Sequence, residues 1–139
     1  MTNKEKVERF KNEARNYYLL KKRIKDIEDD IILVTYEMNG VRGIDYSKEV
    51  VGSPNPNRRH DRFLELSEEL EMLAQEQEIV LNEIKHMESV ASRMEEPFNK
   101  EVFEMYGKGA TADKLARRNC MSRSSYQRAM FNAILEALE

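Results

Sequence analysis

The chain has 139 residues, of which 35% are charged and 8% are aromatic, and it contains no Trp. This length allows one domain or a small domain with an extension, and this composition is typical of long solvent-exposed helices. The single Cys120 excludes an intrachain disulfide and fits a reducing compartment, and no apolar stretch approaches the roughly 20 residues needed to span a bilayer. We therefore expect a cytoplasmic protein with no signal peptide and no membrane partner.

Charge is segregated along the chain. Residues 1–60 contain 13 Lys/Arg against 10 Asp/Glu, residues 61–96 contain 3 against 11, and residues 97–139 contain 7 against 5. Within residues 108–128 six basic side chains face a single acid, Asp113. A negative total does not exclude a nucleic-acid partner, because the field of the docking face decides the interaction.

The first element predicted along the chain is one long helix over residues 4–38. Residues 4–25 of this helix are basic, with 9 Lys/Arg against 3 Glu. Apolar residues recur at steps dominated by three and four, which predicts one stripe that faces a partner. The members of this first stripe are Val7, Phe10, Ala14, Tyr17, Leu20, Ile24, Ile27, Ile31, Val34 and Met38.

Residues 39–60 break the helical pattern and predict an extended loop. Asn39-Gly40 and Gly43 are followed by Gly52-Ser53-Pro54-Asn55-Pro56-Asn57, and these residue types favour turns over helix. The segment is longer than a plain helix–helix connection needs, and such loops tend to be functional or disordered.

The second long helix is predicted from a cap at Asp61 to about Met94. Its apolar spacing alternates three and four throughout, which is the pattern of a coiled coil, with Gln77 as the only polar member. Glu95-Glu96-Pro97 ends it and marks a domain boundary. The members of this second stripe are Phe63, Leu66, Leu70, Leu73, Gln77, Val80, Ile84, Met87, Ala91 and Met94.

The two long helices are complementary in charge, which favours a long antiparallel hairpin over residues 1–96. A rival arrangement pairs the same helix from two chains, and periodicity does not choose between them. A two-helix hairpin buries little surface, so we expect the C-terminal module or a second subunit to complete it. Residues 1–96 are thus predicted to oligomerise, with a dimer favoured, or to dock a partner.

Residues 97–139 predict a small helix-turn-helix domain. The segment 98–106 is followed by Gly107-Lys108-Gly109, then by residues 111–118, a three-residue break and a last helix capped by Ser122. Apolar residues at helical spacing predict the inward faces of the three helices. These residues are Val102, Phe103, Tyr106, Leu115, Ala116, Tyr126, Met130, Ala133, Ile134 and Ala137.

The polar residues of this module predict contact with double-stranded DNA. The first turns of the last helix present residue types that bind base edges, namely Arg123, Ser124, Gln127 and Arg128. Five more are predicted phosphate contacts: Lys108, Lys114, Arg117, Arg118 and Ser122. The alternative is a three-helix cap whose basic residues are merely solvated.

The sequence of the predicted helix-turn-helix domain resembles region four of bacterial sigma factors, which recognises the promoter −35 element. The resemblance covers about 40 residues in the stretches Val102-Phe103-Glu104-Met105-Tyr106, Leu115-Ala116, Met121–Arg128 and Ala133–Leu138. Over most of its length the chain resembles phage late-gene regulators of the ArpU/RinA type, and residues 40–48 resemble a segment of streptococcal phage members. The family usually has Leu before the turn and Gly within it, where this chain has Asn119 and Cys120.

No residue pattern indicates an enzyme. His60 and His86 lie in different elements, and one Cys does not make a zinc set. Acid pairs such as Glu68-Glu69 fit solvated helix faces, and no phosphate-binding glycine pattern occurs. We expect no catalytic residue, metal, cofactor or small-molecule substrate.

The sequence and the resemblance together predict a DNA-binding phage or prophage transcriptional regulator in the bacterial cytoplasm. It is expected to activate late or packaging genes and to contact host RNA polymerase. Two alternatives are a small terminase subunit and an interaction protein without a DNA role, such as an antirepressor or polymerase adaptor.

Overall fold

A computed structural model describes residues 1–42 and 56–139, and within these ranges every regular secondary-structure element is an α-helix. No helix in the described part is both long and apolar enough to cross a membrane. The elements are α1 (Asn3–Arg15), α2 (Tyr17–Arg42), α3 (Pro56–Ser92), α4 (Phe98–Tyr106), α5 (Ala112–Arg118) and α6 (Arg123–Leu138). The prediction of an all-α protein is confirmed for the described residues.

The single helix predicted over residues 4–38 is instead two helices, interrupted at Asn16. The Asn16 side chain donates from Nδ2 to the Asn12 carbonyl at 3.4 Å, and its backbone N–H bonds the Glu13 carbonyl at 3.1 Å. An Asn side chain that takes a backbone acceptor competes with the helical ladder, which accounts for the break. Upstream, Thr2 and Glu5 form a capping box that starts α1.

Every member of the first stripe is buried or half-buried, so the predicted inward face is confirmed across both helices. The same holds for the second stripe, where Gln77 is half-buried. The 3.6-residue period therefore located the inward faces correctly.

The ends of the long helices differ from the prediction. Helix α3 begins at Pro56, so Asp61 lies inside the helix and does not cap it. Proline is well tolerated in the first helical turn, because that turn leaves its backbone N–H groups unpaired in any case. The predicted loop over 39–60 is thus helical at both ends, and residues 43–55, including most of the 40–48 segment, lie outside the described residues.

The described chain divides into two compact units. Unit 2 spans residues 23–81 and is made of parts of α2 and α3. An Arg23–Glu76 salt bridge of 2.6 Å and an Arg62–Glu37 salt bridge of 2.8 Å join the two helices. Its most deeply buried side chains are Ile27, Val34, Leu66 and Val80.

Unit 1 combines residues 1–22 with residues 82–139. Helix α1 packs against α4 and α6, because Val7, Phe10 and Ala14 are buried there. The Tyr17 ring stacks on Phe103 at 4.0 Å, and its hydroxyl donates to Glu88 at 2.7 Å. These units differ from the predicted division after Glu96, since the N-terminal helix supplies part of the core around the last three helices.

Candidate nucleic-acid interface

Helices α5 and α6 are joined by the three-residue turn Asn119-Cys120-Met121 before the cap residue Ser122. Cys120 adopts the left-handed conformation with φ of 56°, whereas Asn119 has φ of −98°. Cys120 therefore has the backbone conformation that glycine most readily adopts, even though it carries a side chain.

Backbone hydrogen bonds close the end of α5. The Met121 N–H donates to the Ala116 carbonyl at 2.9 Å, and the Cys120 N–H donates to the Arg117 carbonyl at 3.1 Å. This pair of bonds around a left-handed residue is a Schellman motif. It fixes the angle at which α6 leaves the turn, and thereby the direction in which the first turn of α6 points.

A buried carboxyl group links the three C-terminal helices. Glu101 of α4 is only 3% exposed, and it accepts hydrogen bonds from the Tyr126 hydroxyl at 2.8 Å and from Asn119 Nδ2 at 2.8 and 3.0 Å. The same Asn119 amide also donates to the Leu115 carbonyl at 2.8 Å. Burial, together with the Glu101 carboxyl group, raises the pKa of Tyr126 well above 10.0.

The residue pattern alone did not single out Glu101. A signal was present, since Glu101 lies three residues after Phe98 and four before Met105, on an apolar face of α4. A tyrosine buried at position 126 also needs a hydrogen-bond partner. Glu101 positions the candidate interface without belonging to it.

All four predicted base-contacting residues are exposed on α6, namely Arg123, Ser124, Gln127 and Arg128. The opposite face of α6 is fully buried through Tyr126, Met130 and Ile134. The Arg123 Nε lies 3.8 Å from Asp113 of α5, a contact between two exposed side chains that adds little to stability. One face of the first turns of α6 is therefore fixed by packing, and the opposite face is accessible to solvent.

The predicted phosphate contacts divide into two groups. Lys114 and Arg117 are exposed and have no ion pair among the described residues. Arg118 is paired with Glu104 at 2.9 Å, and the Lys108 ammonium lies 5.0 Å from the centre of the Tyr18 ring. Lys114 and Arg117 are thus the more available cations.

The side-chain hydroxyl of Ser122 is already engaged in hydrogen bonds at the start of α6. Its hydroxyl oxygen accepts from the Ser125 N–H at 3.2 Å, and the hydroxyl donates to the Ser125 Oγ at 2.8 Å. This is the expected N-cap of α6. The side chain of Ser122 is therefore a weaker candidate for phosphate contact than the neighbouring cations.

The described residues form no cluster of side chains that suggests a metal-binding or catalytic site. No cluster of three or more His, Cys, Asp or Glu side chains in the described part could hold a metal ion. An open groove of about 570 Å³ is lined by Arg9, Glu13, Asn82 and His86 among others. The His86 Nε2 lies 3.8 Å from Glu13 there, but both side chains are solvated.

No family model matches the chain, and neither the curated proteins nor the solved structures contain a significant match. The resemblance to sigma region four therefore stays a prediction from the sequence.

Proposed function

We propose that this protein binds double-stranded DNA in a sequence-specific manner and regulates transcription. The observation behind this proposal is α6, whose inner face is buried while Arg123, Ser124, Gln127 and Arg128 stand exposed in its first turns. Arg and Gln form bidentate contacts with purine edges in the major groove, and recognition helices use their N-terminal residues for this purpose.

In this mechanism α6 enters the major groove and α5 lies across the phosphate backbone. Lys114 and Arg117 contact phosphates on either side, which orients the helix without selecting a sequence. Arg118 contributes after releasing Glu104, and Lys108 contributes from the turn before α5. Sequence preference then comes from the exposed residues of α6.

We infer that α2 and α3 form the predicted antiparallel hairpin. Its support is the order of the contacts, since Arg23 near the start of α2 pairs with Glu76, whereas Glu37 near its end pairs with Arg62. In the proposed regulator this hairpin supplies oligomerisation or contact with RNA polymerase. Activation of late or packaging genes of a phage or prophage follows from the sequence resemblance alone.

Fluorescence anisotropy with labelled duplex DNA over a salt series tests DNA binding directly. Arg123→Gln/Arg128→Gln is expected to weaken binding by at least about tenfold, because each base contact contributes roughly 1–3 kcal/mol. The control Lys4→Gln/Lys85→Gln removes the same charge from exposed positions on α1 and α3. Equal losses in both variants, or no binding to any duplex from a selected genomic library at low salt, contradict the proposal.

The salt slope separates the phosphate contacts. Lys114→Ala and Arg117→Ala are each expected to reduce the slope of log K against log salt by about one, uniformly across DNA sequences. Arg118→Ala is expected to reduce it less, because Glu104 already pairs with Arg118. Light scattering on the same samples distinguishes a regulator from a small terminase subunit, for which a large ring is expected.

A further inference from the structure

Helix α3 has a second apolar line on the side away from its buried stripe. Leu64, Met72 and Ile79 are 47%, 70% and 60% exposed. At about 100° per residue they fall within roughly 80° of one another and point away from Leu66 and Val80, over a length of about 22 Å. We call these three residues the outer α3 stripe. Scattered exposed hydrophobic residues are ordinary, but an aligned set marks a contact surface.

Acidic residues predominate around the outer α3 stripe. From residue 63 to residue 84 the chain contains seven Glu and no Lys or Arg. Glu65 pairs with Arg62 and Glu76 pairs with Arg23. Glu68, Glu71 and Glu78 have no ion pair among the described residues, so their charges are free to meet a partner.

Charge selects the kind of partner. Two copies of this stripe placed face to face would set glutamates against glutamates, which opposes self-association. Anionic surfaces such as DNA and acidic lipid are repelled for the same reason. The basic residues 4–25 of a second copy do not fit either, because their apolar stripe is buried and leaves Leu19 as their exposed large hydrophobic residue.

We propose that the outer α3 stripe docks a basic amphipathic helix of another protein. Apolar side chains of that helix cover Leu64, Met72 and Ile79, while its flanking Lys and Arg side chains pair with Glu68, Glu71 and Glu78. This assignment gives a chemical identity to the partner contact in the proposed regulator. Its test contains no DNA, so failure of either proposal is distinguishable from failure of the other.

The test uses the full chain and a fluorescein-labelled helical peptide of about 22 residues, which matches the length of the stripe. The peptide has leucines at steps of seven and eight and lysines or arginines beside them. A scrambled peptide of the same composition is the control for charge alone. Anisotropy is expected to show saturable binding of the helical peptide and at least about tenfold weaker binding of the scrambled one.

Two matched triple variants locate the binding face. Leu64→Gln/Met72→Gln/Ile79→Gln is expected to weaken peptide binding by at least about tenfold, because the central apolar contacts of an interface dominate affinity. Ile32→Gln/Leu33→Gln/Tyr36→Gln removes three comparably exposed apolar side chains from α2, and its peptide affinity is expected to stay within about twofold of that of the original chain. Glu68→Gln/Glu71→Gln/Glu78→Gln is expected to weaken binding and flatten its salt dependence.

Three results overturn the proposal. Equal affinity of the two apolar triple variants places the contact elsewhere. Equal affinity of the helical and scrambled peptides would show that binding depends on the net charge of the peptide and not on its apolar face. The third result is a chain that self-associates in sedimentation experiments and becomes monomeric in the Leu64/Met72/Ile79 variant. A second copy of the chain would then be the molecule that covers the outer α3 stripe.

Discussion

At the scale of single residues, the most constrained group is the carboxyl of Glu101. It lies in a core with the fully buried Tyr126, accepts three hydrogen bonds there, and forms no salt bridge among the described residues. Its donors come from the turn after α5 and from α6, so one side chain of α4 orients both. Buried polar groups of this kind stabilise one arrangement strongly when every partner is present.

Replacing Glu101 tests this role. Glu101→Ala leaves the Tyr126 hydroxyl and the Asn119 amide short of acceptors and is expected to lower the free energy of unfolding by about 2–4 kcal/mol. Tyr126→Phe removes one bond and is expected to cost about 1–2 kcal/mol. Urea denaturation followed by circular dichroism measures both. The control Glu104→Ala breaks only the exposed pair with Arg118, and a loss as large as that of Glu101→Ala would contradict the assignment.

The phenolic hydroxyl of Tyr106 is expected to make the folded protein less stable at alkaline pH. Burial, with a smaller effect of Glu8, raises the pKa of Tyr106 from 10.0 to about 12. Between these values the unfolded chain releases the phenolic proton while the folded chain keeps it, so stability is full below pH 10 and falls as the pH rises. Tyr106→Phe is expected to flatten this fall between pH 10 and about 12, as measured by urea unfolding at each pH. An unchanged slope in the variant would contradict the expectation.

At the scale of elements, the sequence predicted the helices and their inward faces but not all of their ends. Periodicity marks which side of a helix is apolar, and every stripe residue of α1, α2 and α3 is accordingly buried or half-buried. The break at Asn16 depends on a side chain that bonds a carbonyl four residues earlier, and the early start of α3 depends on Pro56. Such local competition leaves no mark in the apolar spacing.

The turn between α5 and α6 gives a prediction at this scale. A side chain at a left-handed residue costs about 1 kcal/mol, so Cys120→Gly is expected to raise the free energy of unfolding by about 0.5–1 kcal/mol. Cys120→Val places a branched side chain in the same conformation and is expected to lower it by about 1–2 kcal/mol. Thermal unfolding of the two variants measures the difference. A valine variant as stable as the glycine variant would show that position 120 is not left-handed.

At the scale of the whole molecule, the sequence left open whether the C-terminal module or a second subunit completes the core around the first helix. The apolar stripe of α1 looks the same whether it faces α3, a second chain or the C-terminal helices, because periodicity identifies a face but not what covers it. The structure assigns Val7 and Phe10 of α1 to the core of unit 1, together with Val102, Tyr126 and Ile134. The exposed residues of α6 were predictable from the sequence, whereas the packing of α1 against α6 was only one of two alternatives that the sequence left open.

Because the core is shared, a destabilising substitution in α1 is expected to destabilise α4, α5 and α6 as well. Phe10 is 1% exposed, and Phe10→Ala is expected to cost about 3–5 kcal/mol through lost burial and the cavity left behind. Hydrogen exchange measured by mass spectrometry is then expected to accelerate over residues 98–138. Leu19→Ala is the control, because Leu19 is 65% exposed and its loss is expected to change exchange little. Unchanged exchange over residues 98–138 in Phe10→Ala would mean that the C-terminal helices fold without α1, as the division after Glu96 had predicted.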